Sequence, residues 1–102
     1  MSDVRLLIDI EVLEFLRTRR RRDQEELLNR FRAIADFPSN YSDFVEYDCV
    51  GRRIDVHIFG KFAIKFWNDS ADLHVKILDI HLADRYLGFV REMLRAMGAR
   101  VE

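Results

Sequence analysis

The sequence predicts an α+β domain with an N-terminal strand, a helical hairpin, an antiparallel β-meander of about four strands and a C-terminal helix. Three observations carry that prediction. Apolar residues recur at helical spacing in two early segments, around Val12–Leu16 and Leu27–Ala35. The period then changes to alternation between turn signals, from Phe44 to Ile80. Helical spacing returns at the end, at Tyr86, Val90, Met93, Leu94 and Met97.

Val4-Arg5-Leu6-Leu7-Ile8 is short, apolar and β-branched at its ends, which suits a strand or the first turns of a helix, and a strand is preferred. Asp9 stands where an N-cap belongs. Val12, Leu13, Phe15 and Leu16 then form an apolar face, with Glu11, Glu14 and Arg17 left to solvent. After the arginine run, Asp23 precedes Gln24-Glu25-Glu26 and is expected to cap the second helix. That helix carries Leu27, Leu28, Phe31, Ile34 and Ala35 and stops before Phe37-Pro38. Two helices so closely joined must fold back as a hairpin to place both apolar faces in one core.

Phe44 to Cys49 alternates, Val50-Gly51 allows a tight turn, and Arg53, Asp55 and His57 interleave with Ile54, Val56 and Ile58. Gly60-Lys61 gives a second turn, Phe62 to Trp67 a third strand, Asn68-Asp69-Ser70 a third turn, and Leu73 to Ile80 a fourth strand. The last helix follows Asp84 and ends near Gly98, and is expected to pack on the domain.

At 102 residues the chain has room for one domain, spanning 1–102. Hydrophobic residues at 49% and charged residues at 34% fit a folded protein in water and exclude disorder. Every apolar run is broken by a charge before the ~20 residues that a membrane helix needs. The lone Cys49 cannot pair within the chain and reads as a buried strand residue, and the start does not resemble a secretory signal, so the cytoplasm is expected. A net charge of -1 gives no bulk attraction for nucleic acid. Phosphate binding would need a local concentration of cations, and Arg17, Arg19, Arg20, Arg21 and Arg22 provide one, while Asp36, Asp43, Glu46 and Asp48 gather further on.

Several strings resemble the RelE/ParE toxin superfamily. Leu16-Arg17, the basic joint, and Leu27-Leu28-Asn29-Arg30-Phe31-Arg32-Ala33-Ile34-Ala35-Asp36-Phe37-Pro38 are similar to its second helix. Gly60-Lys61-Phe62-Ala63-Ile64 looks like its Gly-x-aromatic hairpin, and Val75-Lys76-Ile77-Leu78-Asp79-Ile80-His81 resembles its last strand and exit. The resemblance covers about residues 9–85. It implies the toxin of a type II toxin–antitoxin pair, silenced by a cognate antitoxin protein. One form is a metal-independent endoribonuclease that cuts mRNA on the ribosome. Alternatives are a non-enzymatic ParE-like toxin that binds DNA gyrase, or a degenerate member that only binds a protein.

Cutting RNA by 2′-hydroxyl attack needs a base, an acid for the departing 5′ oxygen, and cations for the charge on the phosphate. The resemblance assigns such roles to His81, Arg85, Arg53, Lys65 and His57. It also departs from the family's pattern: Ala63 stands where the family's hairpin has a catalytic arginine, and the exit reads His81-Leu82-Ala83-Asp84-Arg85. By alternation Arg53, Asp55 and His57 share a face, and Lys65 shares one with Ala63 and Trp67. Register decides whether these faces coincide. Arg19, Arg20, Arg21, Arg22 and Lys61 form a candidate nucleic-acid or partner contact, with a solvated helix joint as the plain alternative. The ordinary reading of a strand histidine, exposed or hydrogen-bonded, also applies to His57 and His81. Trp67 is expected at the edge of the core. The three histidines lack close ligand spacing, and His74 with Asp72 or Asp79 makes only a weak set, so neither metal nor cofactor is expected.

Overall fold

The computed structural model describes residues 4–83 and Gly98. The expected C-terminal helix and the candidate Arg85 lie outside the described residues. The elements are β1 (Arg5–Ile8), α1 (Ile10–Arg17), α2 (Arg21–Asp36), a 3-10 turn (Pro38–Tyr41), β2 (Phe44–Tyr47), β3 (Arg53–Phe59), β4 (Phe62–Asp69) and β5 (His74–Leu82). They form an α+β arrangement with one five-stranded sheet in the order β1-β5-β4-β3-β2.

Strands β2 to β5 make the expected antiparallel meander. The sheet as a whole is mixed, because β1 lies parallel to β5 with Leu6 opposite Val75 and Ile8 opposite Ile77. The two helices are the crossover that a parallel return requires. Leu6 and Ile8 of β1 pack on the core while Arg5 and Leu7 are exposed, so even this short strand alternates.

Asp9 caps α1 as expected, its Oδ1 accepting the Glu11 N–H at 3.1 Å. The joint to α2 is held by Gln24, whose Nε2 donates to the Leu16 carbonyl at 2.8 Å and the Arg19 carbonyl at 3.0 Å. The start of α2 differs from the expectation. The helix begins at Arg21 and its N-cap is Arg20, so Asp23 lies within the first turn and is not the cap. Arginine is a good helix former, and Arg21–Glu25 and Arg22–Glu26 pair one turn apart at 3.2 Å each.

One core cluster joins Val12 and Leu16 of α1 and Leu27, Phe31, Ile34 and Ala35 of α2 to Phe62, Ile64 and Phe66 of β4 and Val75, Ile77 and Ile80 of β5. Each large side chain removed from water here contributes about 1.5–3 kcal/mol. A smaller cluster of Val56, Ala63 and Ala83, with Ile58 beside it, is separate from the main core.

Two hairpins depart from the sequence reading. Strand β2 ends at Tyr47, and Cys49 is an exposed turn residue, not a buried strand residue. The cause is Asp48, whose Oδ1 accepts the Val50 and Arg52 N–H groups at 3.1 and 2.8 Å and whose Oδ2 accepts from Arg52 Nε at 3.0 Å. These bonds, led by the Arg52 backbone N–H, hold its carboxyl below the usual carboxylate value. Gly51 takes φ +83°, a conformation that favours glycine. Strand β4 continues through Asn68 and Asp69, so the next turn falls at residues 70–73, where Leu73 takes φ +52°. The β4–β5 ladder slips once: Lys65 faces Asp79 and Phe66 faces Ile77, leaving Leu78 as an extra residue on β5.

Candidate functional site

Register settles which candidates meet. On neighbouring strands, directly paired residues point to the same side of the sheet. His57 pairs with Ile64, a member of the helix-packed core, so His57 and Arg53 belong to the helical side. Lys65 pairs with Val56 and Asp79, and His81 pairs with Ala63, which places Lys65 and His81 together on the opposite side. The described candidates therefore form two groups back to back across one sheet.

On the helical side His57 is 8% exposed. Its Nδ1 lies 2.8 Å from Asp43 Oδ2, which also accepts the Ile58 N–H at 2.8 Å. The ring sits edge-on to Tyr41 at 5.1 Å and stacks near Phe59 at 6.4 Å. Arg30 lies over both of those rings, at 5.2 and 4.3 Å. Burial pushes the imidazole pKa down, against the Asp43 carboxylate that pulls it up, and the Arg30 charge adds to the lowering. A neutral ring with its proton on Nδ1 fits this environment, donating to Asp43 and leaving the buried Nε2 without a hydrogen-bond partner. The dyad fastens the segment before β2 to β3, reinforced by the Asp43 N–H to the Val56 carbonyl at 2.9 Å. Beside it, Glu26, Asn29, Arg30, Ala33, Tyr41 and Phe59 line an open groove of about 540 Å³.

Arg53 turns along its own strand to Asp55, with Nη2 to Oδ1 at 3.1 Å, and that oxygen also accepts from Ser42 Oγ at 2.6 Å. On the opposite side Lys65 Nζ is 3.0 Å from Glu46 Oε2, and His81 Nδ1 is 3.3 Å from Asp79 Oδ2. Both side chains retain about a quarter of their exposure, at 25% and 26%. Solvent reaches His81 as it does not reach His57, so among the described histidine candidates His81 is the one fit to exchange a proton with a bound molecule.

The arginine segment divides as well. Arg19 folds over the Phe15 ring at 4.4 Å, with its Nε buried. Arg20, Arg21 and Arg22 have side chains 81%, 90% and 87% exposed. Their ion pairs with Asp23, Glu25 and Glu26 are solvent-screened contacts of roughly 0.3–0.5 kcal/mol, easily exchanged for another anion. Lys61 reaches Asp23 at 3.5 Å, next to this strip. Trp67 does not cover the core: it lies on the opposite side, under the Arg52 guanidinium at 4.4 Å and edge-on to His74.

Asp43, Tyr41 and Arg30 were not marked as site residues in the sequence. Asp43 appears there only as one of several nearby acids, and its place beside His57 follows from the β2–β3 register. No protein-family model, curated protein or solved structure matches the chain.

Proposed function

We propose that the chain is a RelE/ParE-like toxin that acts by gripping a protein target, DNA gyrase being the target that the resemblance names, and that a cognate antitoxin silences it. The scaffold part of this reading is supported by the succession of N-terminal strand, two helices and antiparallel meander, together with the three similar strings. The observation that favours binding over cutting is the division of the candidate catalytic residues. Arg53 and His57 lie on one side of the sheet, Lys65 and His81 on the other. Each stands beside a carboxylate: Asp55, Asp43, Glu46 or Asp79. Phosphoryl transfer needs base, acid and uncompensated cations converging on one phosphate. The exposed strip of Arg20, Arg21 and Arg22 suits an acidic protein surface instead.

A second reading keeps the endoribonuclease. It is favoured by Lys65 and His81, which share a side on adjacent strands. In it Lys65 holds the phosphate and His81 moves the proton, while Arg85, which the resemblance adds to the set, lies outside the described residues.

Expression in a bacterial host is the test. Growth arrest relieved by a neighbouring antitoxin gene is expected, and undisturbed growth with or without that gene rejects both readings. An Arg20→Glu/Arg21→Glu/Arg22→Glu variant that folds but no longer arrests growth or retains gyrase supports the arginine contact. A variant as toxic as the parent removes it.

A further inference from the structure

The turn between β4 and β5 adds Asp69 to the weak set of His74 and Asp72. Asp69 ends β4, Asp72 lies in the turn, and His74 opens β5, directly across the ladder from Asp69. One ligand atom from each of the three falls within 4.8 Å of the others. Asp69 and His74 are largely buried, with side chains 12% and 14% exposed, whereas Asp72 is exposed.

His74 Nε2 stands 3.5 Å from Asp69 Oδ2. Two ligands each about 2.0–2.2 Å from one tetrahedral zinc ion stand roughly 3.4 Å apart. At 3.5 Å both atoms can therefore reach a single ion. The second ring nitrogen, Nδ1, is buried without a hydrogen-bond partner among the described residues, and Nε2 is the ring atom that faces Asp69. Asp69 Oδ1 meanwhile accepts the Asp72 N–H at 3.2 Å, which sets the turn and leaves Oδ2 turned toward His74.

We propose that Asp69, Asp72 and His74 bind a divalent transition-metal ion of the zinc class. One imidazole and two carboxylates favour zinc, cobalt or nickel over magnesium, which prefers an all-oxygen octahedron. Three protein ligands leave a fourth position for water or an exogenous ligand, the composition of an open zinc site and not of a closed structural one. The ion clamps the hairpin between two adjacent strands, independently of whether the chain is a toxin.

The protein carries its own reporter. Trp67 is its single tryptophan, and its ring lies 5.8 Å from that of His74. The full chain is titrated with Co2+ at neutral pH while tryptophan emission is followed, then with Zn2+. Quenching that saturates at one equivalent and is reversed by Zn2+, with Mg2+ inert, is the expected result. Asp72→Ala removes an exposed ligand whose carboxylate makes no hydrogen bond among the described residues, and should weaken Co2+ binding at least roughly tenfold with the fold intact. His74→Gln should abolish the saturable quench. The proposal is overturned if the parent shows no saturable quenching up to millimolar metal, or if Asp72→Ala binds as tightly as the parent.

Discussion

His57 and His81 each set Nδ1 against an aspartate, at 2.8 and 3.3 Å, yet one is packed beneath the helical side and the other keeps 26% of its side chain exposed on the opposite side. Asp43 reaches His57 from outside its strand and also takes a backbone N–H, so that contact joins two chain segments. Asp79 lies two residues from His81 on the same strand. The same pair of residue types therefore does different work: a tertiary fastener in the first case, a locally paired and accessible imidazole in the second. Residue type alone does not separate the two; burial and the origin of the partner do.

The largest effect is expected in the core that covers the helical side, where Phe31 is fully buried. Phe31→Ala should lower stability by about 3–5 kcal/mol in chemical denaturation, through lost burial and the cavity left behind. A loss below about 1 kcal/mol would mean that α2 does not seal the sheet as described.

Next comes the fastener. Asp43→Ala leaves the buried His57 Nδ1 and the Ile58 N–H without their acceptor, and about 1–3 kcal/mol should be lost. A double-mutant cycle with His57→Phe should give strong coupling, since either change ends the same contact. Additive losses would show that the two side chains act separately.

A smaller effect follows from pH. The folded pKa of His57 lies below the ordinary 6.5. Above that value both folded and unfolded forms are neutral and the contribution is fully present. As pH falls through 6.5 the unfolded chain takes up the proton first, so stability drops until the lower folded pKa is passed. Denaturation midpoints of the parent should fall faster than those of His57→Phe on acidification from about pH 7 to pH 5. Parallel profiles would contradict the buried, neutral ring. The smallest effect is expected at His81, where replacement by Ala should change stability by less than about 0.5–1 kcal/mol, because a partly exposed local pair adds little.

These contrasts also mark what was legible in the sequence. The meander and the two helices were readable because alternation and helical spacing reflect which side chains meet the core, and Asp9 announced its cap through local chemistry. Asp23 misled as a cap because an aspartate in the first turn serves the helix dipole equally well, and the arginines before it form helix readily. Cys49 misled because alternation ran on in the sequence past the point where Asp48 captures the backbone. The split of Lys65 and His81 from Arg53 and His57 was not readable at all. It depends on register, and a shift of one residue would exchange the sides. Asp43, remote from His57 in the sequence, was concealed for the same reason.

The central claim is that the divided candidates do not make a cutting site and that the chain stops growth by binding. Mapping RNA 5′ ends in arrested cells tests it most directly. The account predicts arrest with no new ends phased to codons, equally in the parent and in His81→Ala. New codon-phased ends in the parent that vanish in His81→Ala would contradict it and establish the cutting site on the Lys65–His81 side.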